Sequence, residues 1–406
     1  MRNLSIINQI NCTKHFSYQV IFDYRDKMRI VFDLDGVICE LKKPSESYAD
    51  VIPKNDVIEK MKDLKKDGHY LIIHTSRHMR TCDGDVSKVI KKIGKITEDW
   101  LVKWNVPYDE LIFGKPHADT YIDDLGIEFS TRDNLDKKIE SMQPYIVMPM
   151  AGHGKRFKDA GISKPKFMIE VENKTLFEWS LDSLPLEISR KIIFICLEEH
   201  EKEFNVSKFI KNIMKDRYPK VNYELVYIEK TTRGQVETVL HAKQLIDSEN
   251  TLIIYNIDTH FISTRLKSKI LTLKNQNIDA VLGCYTSDDE NLSFVELNDK
   301  GFVKRVREKE KISSLASTGL YIFSNGRQFV EAAETMIKND VKVKDEFFVS
   351  EIYNILLKSG KKFEIDIAEG FIPFGTPDDI KKFVIDIAEE FVPFGTPEDI
   401  KRFEMK

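Results

Sequence analysis

The chain has 406 residues, enough for two or three domains with proper cores, and 62 Lys and Arg against 66 Asp and Glu leave it a net charge of −4. That balance excludes the global basic field expected of a nucleic-acid binder or a protein of anionic membranes, and leaves charged small molecules as partners. No run approaches the roughly 18 apolar residues of a membrane span, the polar opening MRNLSIINQINCTKHF lacks a signal-peptide core, and five scattered cysteines (Cys12, Cys39, Cys82, Cys196, Cys284) form no C-x-x-C pair, so reduced thiols in a cytoplasmic protein are expected.

Residues 1–27 read as an extension of open role, although YQVIFDY is able to add an edge strand. The strand RIVFD then opens an alternating series. An amphipathic helix over about 57–66 ends at Asp-Gly before the strand YLIIHT; a helix over about 86–104 precedes LIFG, and TYIDD follows. Strand and helix in alternation predict a parallel sheet with right-handed crossovers, whose working edge lies at the carboxyl ends of the strands. A second α/β series starts at PYIVMPMAGHGKRF, with expected strands KIIFICL, NYELVYI, TLIIYNID and AVLGCY, then a hairpin-like pair around Asp-Lys-Gly and finally STGLYIF. The expected organisation is an extension over 1–27, a first domain over 28–140, a second with a mixed sheet over 144–383, and a tail over 384–406. That tail arises from a period-20 repeat: EIDIAEGFIPFGTPDDIKKF (364–383) is followed at once by VIDIAEEFVPFGTPEDIKRF, with 15 of 20 positions identical. Two units are too few for a solenoid, so only one copy fills one place in the fold.

The stretch RIVFDLDGVICE ends a buried strand on two carboxylates, which burial would penalise heavily without a partner. Alternate residues share a face, so Asp33 and Asp35 point the same way, and Gly36 lets the chain turn. Thr75, Lys115, Asp123 and Asp124 belong at neighbouring strand ends. Together these groups suit a magnesium phosphate site, with Asp33, Asp123 and the backbone carbonyl at Asp35 around a hard cation. Arg77 and His78 either bind substrate or lie on a solvated loop.

The order D-x-D-G, Thr, Lys, D-D resembles the haloacid-dehalogenase-like (HAD-like) phosphatases, and HTSRHMRTCDGDV through YIDD is similar to their small capsule-biosynthesis branch. The resemblance covers roughly 28–130 and implies a Rossmannoid α/β domain without a large cap, closed by the other domain or by a second subunit of a homo-oligomer. It implies that Asp33 attacks phosphorus, that Asp35 is acid and then base, that Thr75 and Lys115 hold the transferred group, and that Asp33, Asp35, Asp123 and Asp124 serve the Mg2+.

In PMAGHGKRF, Ala151, Gly152 and Gly154 let backbone N–H groups approach an anion, with Lys155 and Arg156 just beyond; the Walker spacing is absent. Downstream come Lys166 after Pro165, Gly234 and Gln235 opening a helix, Asp258 ending the strand IIYNID, Lys309 in VREKEK, and Glu346. The succession resembles the sugar-phosphate nucleotidyltransferases, including those acting on choline or polyol phosphates, over roughly 144–383. That implies a GT-A-like fold in which the glycine loop and Arg156 wrap a nucleoside triphosphate, Gln235 sits near the base, Asp258 binds Mg2+, and Lys166 and Lys309 handle phosphates. Where many relatives carry a second metal-binding aspartate two residues before a Gly-Thr pair, this chain has Pro373 and Pro393, leaving Glu346 or Glu351 as replacements. The reading is thus a bifunctional enzyme of surface-polysaccharide precursors, a Mg2+-dependent phosphatase joined to a nucleotidyltransferase. CTP and a polyol phosphate such as glucitol phosphate are its first substrates, with GTP or UTP and a heptose phosphate as the alternative beside a non-catalytic first domain.

Overall fold

The computed structural model describes residues 28–43, 45–121, 123, 125–127 and 132–390. Asp124, the N-terminal extension and residues 391–406 of the tail therefore lie outside the described residues.

The first sheet has three parallel strands in the order β1 (Arg29–Phe32), β2 (Tyr70–Thr75) and β3 (Glu110–Phe113). The helix Asn55–Lys66 buries Val57, Ile58, Met61 and Leu64, the i, i+3, i+4 stripe that the sequence prescribes. The second connection is helical from Val86 to Lys103, interrupted by a π turn at Ile90–Gly94. TYIDD departs from expectation: Tyr121 and Asp123 lie in no strand. The Tyr121 hydroxyl donates to the Pro116 carbonyl five residues back, and its ring is half exposed beneath the Lys115 ammonium, so the segment folds on itself instead of extending.

The helix Arg132–Met142 leads into the second unit, and the link is pinned rather than loose. Asn250 Nδ2 donates to the Gln143 carbonyl (3.0 Å), Lys274 Nζ to that of Ser141 (3.0 Å), and Gln143 Nε2 meets His69 Nε2 at 3.3 Å.

The second unit supplies β4 (Tyr145–Pro149), the short hairpin β5 (Glu170–Val171) and β6 (Lys174–Thr175), β7 (Lys191–Leu197), β8 (Tyr223–Ile228), β9 (Leu252–Tyr255) and β10 (Thr259–Ile262). There follow β11 (Ala280–Thr286), β12 (Ser293–Leu297), β13 (Val303–Glu308), β14 (Leu315–Phe323), β15 (Phe363–Ile367) and β16 (Gly370–Pro373). Nine of these form one mixed sheet in the order β13-β12-β14-β9-β4-β7-β8, with β11 paired antiparallel to β14 and parallel to β15. The central strands β4, β7 and β9 are parallel and nearly all buried, as their unbroken Ile, Val and Phe runs require of strands covered on both faces. The antiparallel strands come later in the chain, and β10 pairs separately with β16.

The first repeat copy supplies β15 and β16 and enters the helix Pro377–Glu390. Ile365–Ala368 begins in β15, whereas the same four residues of the second copy, Ile385–Ala388, are helical. The site beside β11 holds one strand only, and identical local sequence takes the structure its neighbours allow.

Candidate functional sites

At the carboxyl end of β1, Lys115 Nζ lies 2.6 Å from Asp33 Oδ2, while Asp33 Oδ1 accepts the Leu34 N–H at 2.8 Å. Thr75, the last residue of β2, is fully buried, and its Oγ1 accepts the Arg77 N–H (3.1 Å). Arg77 is no solvated loop residue. Its side chain is 0% exposed and forks onto Asp35, Nε to Oδ2 at 2.9 Å and Nη2 to Oδ1 at 2.9 Å, with Thr97 Oγ1 (3.3 Å) and the Tyr48 ring (4.5 Å) filling the rest of its surroundings. Burial and the neighbouring Asp35 push the Cys39 thiol up to about 12, so it stays protonated and donates to the Leu34 carbonyl.

A cavity of about 800 Å³ opens beside Asp35, with Tyr48, Arg77, His78 and Lys92 in its wall. Burial, then Lys92, Lys42 and Arg77, hold His78 below its ordinary value. The structure thus brings Asp33, Lys115, Thr75 and Asp35 together around the ends of the three strands but does not bond Asp123 to them. Asp123 is exposed in the refolded loop, and its Oδ1 accepts the Leu125 N–H (2.7 Å). As a side-chain metal ligand Asp35 is a poor fit, because Arg77 engages both its oxygens. Asp33, carrying one lysine and one backbone donor, retains lone pairs suited to a hard cation.

The second constellation lines a cleft of about 850 Å³ over the carboxyl ends of β4 and β9. Ala151, Gly152, Gly154 and Arg156 form one wall; Gly234 and Gln235, at the start of the helix Gln235–Leu240, form another, and Lys166 and Asp258 face each other. Lys166 Nζ is 2.6 Å from Asp258 Oδ2 and 3.1 Å from the Gly375 carbonyl, so the Gly-Thr segment of the first repeat copy reaches the site through backbone. Asp258 Oδ1 makes no hydrogen bond among the described residues, which leaves an oxygen turned toward a cleft and fits a divalent ion.

Gly234 is required by its conformation (φ +139°) and by space. A Cβ there would stand 2.4 Å from the Phe347 nitrogen, where the Phe347 N–H bonds the Arg233 carbonyl and its own carbonyl accepts from Val236. Gln235 Nε2 donates to Asn256 Oδ1 (2.6 Å), and the close approach of Gly319 to Asn256 keeps that amide in place.

Glu346 lines the cleft, as does Asp345; Glu351 does not, and accepts instead from Asn354 Nδ2 (2.8 Å). Lys309 also falls outside the lining. It follows the end of β13 in a left-handed conformation (φ +55°) with Nζ over the Phe348 ring at 4.6 Å, while its neighbour Glu308 faces the cleft and accepts the Ser350 hydroxyl (2.9 Å). Sequence reading missed Glu308 and Asn256 and left Arg77 open between substrate binding and a solvated loop. Glu308 stands two residues beyond the buried Val306 and so shares its face of β13, which was the available signal; nothing local marked Asn256.

Comparison with known proteins agrees with this architecture. Bifunctional protein GlmU of Thermoanaerobacter pseudethanolicus (strain ATCC 33223 / 39E) is 23% identical over 214 residues, 51% of this chain, and the chain spans 43% of that relative's length. A nucleoside-diphosphate-sugar pyrophosphorylase from Vibrio cholerae RC9, solved by crystallography, superposes with a TM-score of 0.51 at 27% identity, covering 59% of this chain and 99% of its own. The sequence profile of the Nucleotidyl transferase family matches residues 146–387, which hold the glycine loop, Lys166, Asp258 and the whole cleft; the chain belongs to that family.

Proposed function

We propose that the cleft joins a nucleoside triphosphate, CTP first, to a sugar or polyol phosphate such as glucitol phosphate, releasing pyrophosphate. The observation that carries this is Lys166 held 2.6 Å from Asp258 in the cleft that the glycine loop also lines. An oxygen of the acceptor phosphate attacks the α-phosphorus, the bond to the β-phosphate bridging oxygen breaks, and that oxygen keeps the electron pair. Loop N–H groups and Arg156 hold the triphosphate, Lys166 offsets the charge of the two approaching phosphates, and the Gln235–Asn256 pair faces the base. Mg2+ would be held by Asp258 and would neutralise departing pyrophosphate. Four nucleoside triphosphates tested against a panel of sugar and polyol phosphates, read by pyrophosphate release, check this reading; GTP or UTP with a heptose phosphate is the competing outcome. No release from any pair refutes it.

A second reading assigns residues 28–140 to a HAD-like phosphatase. Supporting it are the Asp33–Lys115 pair, buried Thr75 and Asp35 fixed by Arg77 at adjoining strand ends. Asp33 attacks phosphorus, the bond to the leaving oxygen breaks and that alkoxide takes a proton from water; Asp35, paired with Arg77, then takes a proton from the water that attacks the aspartyl-phosphate. Phosphate release from sugar phosphates that disappears in Asp33→Asn supports this assignment; no release favours a non-catalytic scaffold. No helix among the described residues is long and apolar enough to cross a membrane.

A further inference from the structure

His153 lies in the glycine loop after β4, between Gly152 and Gly154, and neither constellation above uses it. The neighbouring parallel strand β7 ends at Leu197, and the next turn carries Glu199 and His200. His153 Nδ1 is 2.9 Å from Glu199 Oε1, and that oxygen is 3.7 Å from His200 Nε2. One nitrogen of each ring and one carboxylate oxygen lie within 4.8 Å of one another.

The His200 ring is the unusual member. It is 3% exposed, packed against Phe167, Phe204 and the ring of His153, yet Nδ1 has no partner among the described residues and Nε2 stands beyond hydrogen-bond range of Glu199. Nε2 is the nitrogen nearest Glu199 and it too has no hydrogen-bond partner among the described residues, so the ring keeps a ligating atom open on the side of His153 and Glu199.

We propose that His153, Glu199 and His200 bind a borderline transition-metal ion of the Zn2+ class, tying the glycine loop of the nucleotide cleft to the turn after β7. Two imidazoles and one carboxylate match Zn2+ or Co2+ and are the wrong set for Mg2+, which takes oxygen donors, so this ion is chemically distinct from one at Asp258. Tetrahedral coordination at about 2.1 Å places ligand atoms roughly 3.4 Å apart. The His153 and Glu199 side chains are each about half exposed and so have room to turn toward the buried His200 ring. Three protein ligands leave a fourth position for water.

The test is a titration of the full-length, chelator-stripped protein with Co2+ in excess Mg2+, which saturates the oxygen sites. Expected is one equivalent with the intense visible absorption of tetrahedral Co2+, erased by stoichiometric Zn2+ and missing from His153→Ala and from Glu199→Gln, whose exposed positions leave folding intact. Octahedral-type weak absorption in the wild type, no binding, or the same band in both variants overturns the proposal.

Discussion

Replacing Arg77 with Ala tests the least expected feature of the first constellation. The guanidinium is 0% exposed and makes charge-assisted contacts to both oxygens of Asp35, which is itself only 21% exposed on its side chain. Removing one partner of such a pair leaves a carboxylate without its cation, at a cost of about 3–5 kcal/mol for full burial. Water can reach one-fifth of Asp35, and the lost contact with the Tyr48 ring adds to the damage, so about 3 kcal/mol is expected. The measurement is urea unfolding followed by tryptophan fluorescence in a Trp179→Phe background, where only Trp100 and Trp104 of the first unit report. Arg77→Lys should recover less than half of the loss, since a point charge cannot form the fork. A loss below about 1 kcal/mol for Ala, or full recovery by Lys, would refute the reasoning.

Lys166→Ala should lower kcat/KM for nucleotidyl transfer by about 10²–10³-fold with little change in Tm, read by pyrophosphate release, if its ammonium stabilises developing charge. Gly234→Ala places a methyl 2.4 Å from the Phe347 nitrogen and should cost about 2–4 kcal/mol in unfolding free energy while raising the KM for nucleotide. His260 is held below 6.5 chiefly by burial, with Nδ1–H donating to the Trp179 carbonyl (2.9 Å). The unfolded chain therefore protonates it at higher pH than the folded one: its contribution is complete above 6.5 and is lost as pH falls toward the folded value. Below about pH 6.5, and until the folded value is reached, the slope is up to about 1.4 kcal/mol per pH unit, and His260→Asn should flatten it. Ending the chain after Phe383, which is buried against Trp179 and Phe374, should leave nucleotidyl transfer intact; loss of activity in folded, truncated protein would contradict that.

Much of the second unit was legible because its strands are long, β-branched and buried on both faces, so KIIFICL and LIIY carry their assignment locally. The same pattern placed Asp258 and the glycine loop at strand ends, and backbone geometry does the rest. TYIDD reads as a strand by propensity, yet its tyrosine closes a loop onto Pro116, an outcome set by which neighbours are present rather than by the five residues themselves. Arg77 was ambiguous for the opposite reason: the carboxylate that permits its burial lies 42 residues away and meets it only once two strands have paired. Glu308 ends β13 facing the cleft, whereas Lys309 is the residue at which the chain leaves the strand in a left-handed conformation, and its ammonium goes to the Phe348 ring instead.

The duplicated segment gives the chain two sequences fit for a single edge. Four residues connect the helix Val349–Lys358 to β15, and seating the later copy beside β11 would lengthen that connection by twenty. Loop-closure entropy then separates the two arrangements by only about 1.6 kcal/mol, about fifteenfold in population. Tether length by itself therefore favours the first copy beside β11 only modestly, and the rest of the preference falls to the five positions at which the copies differ.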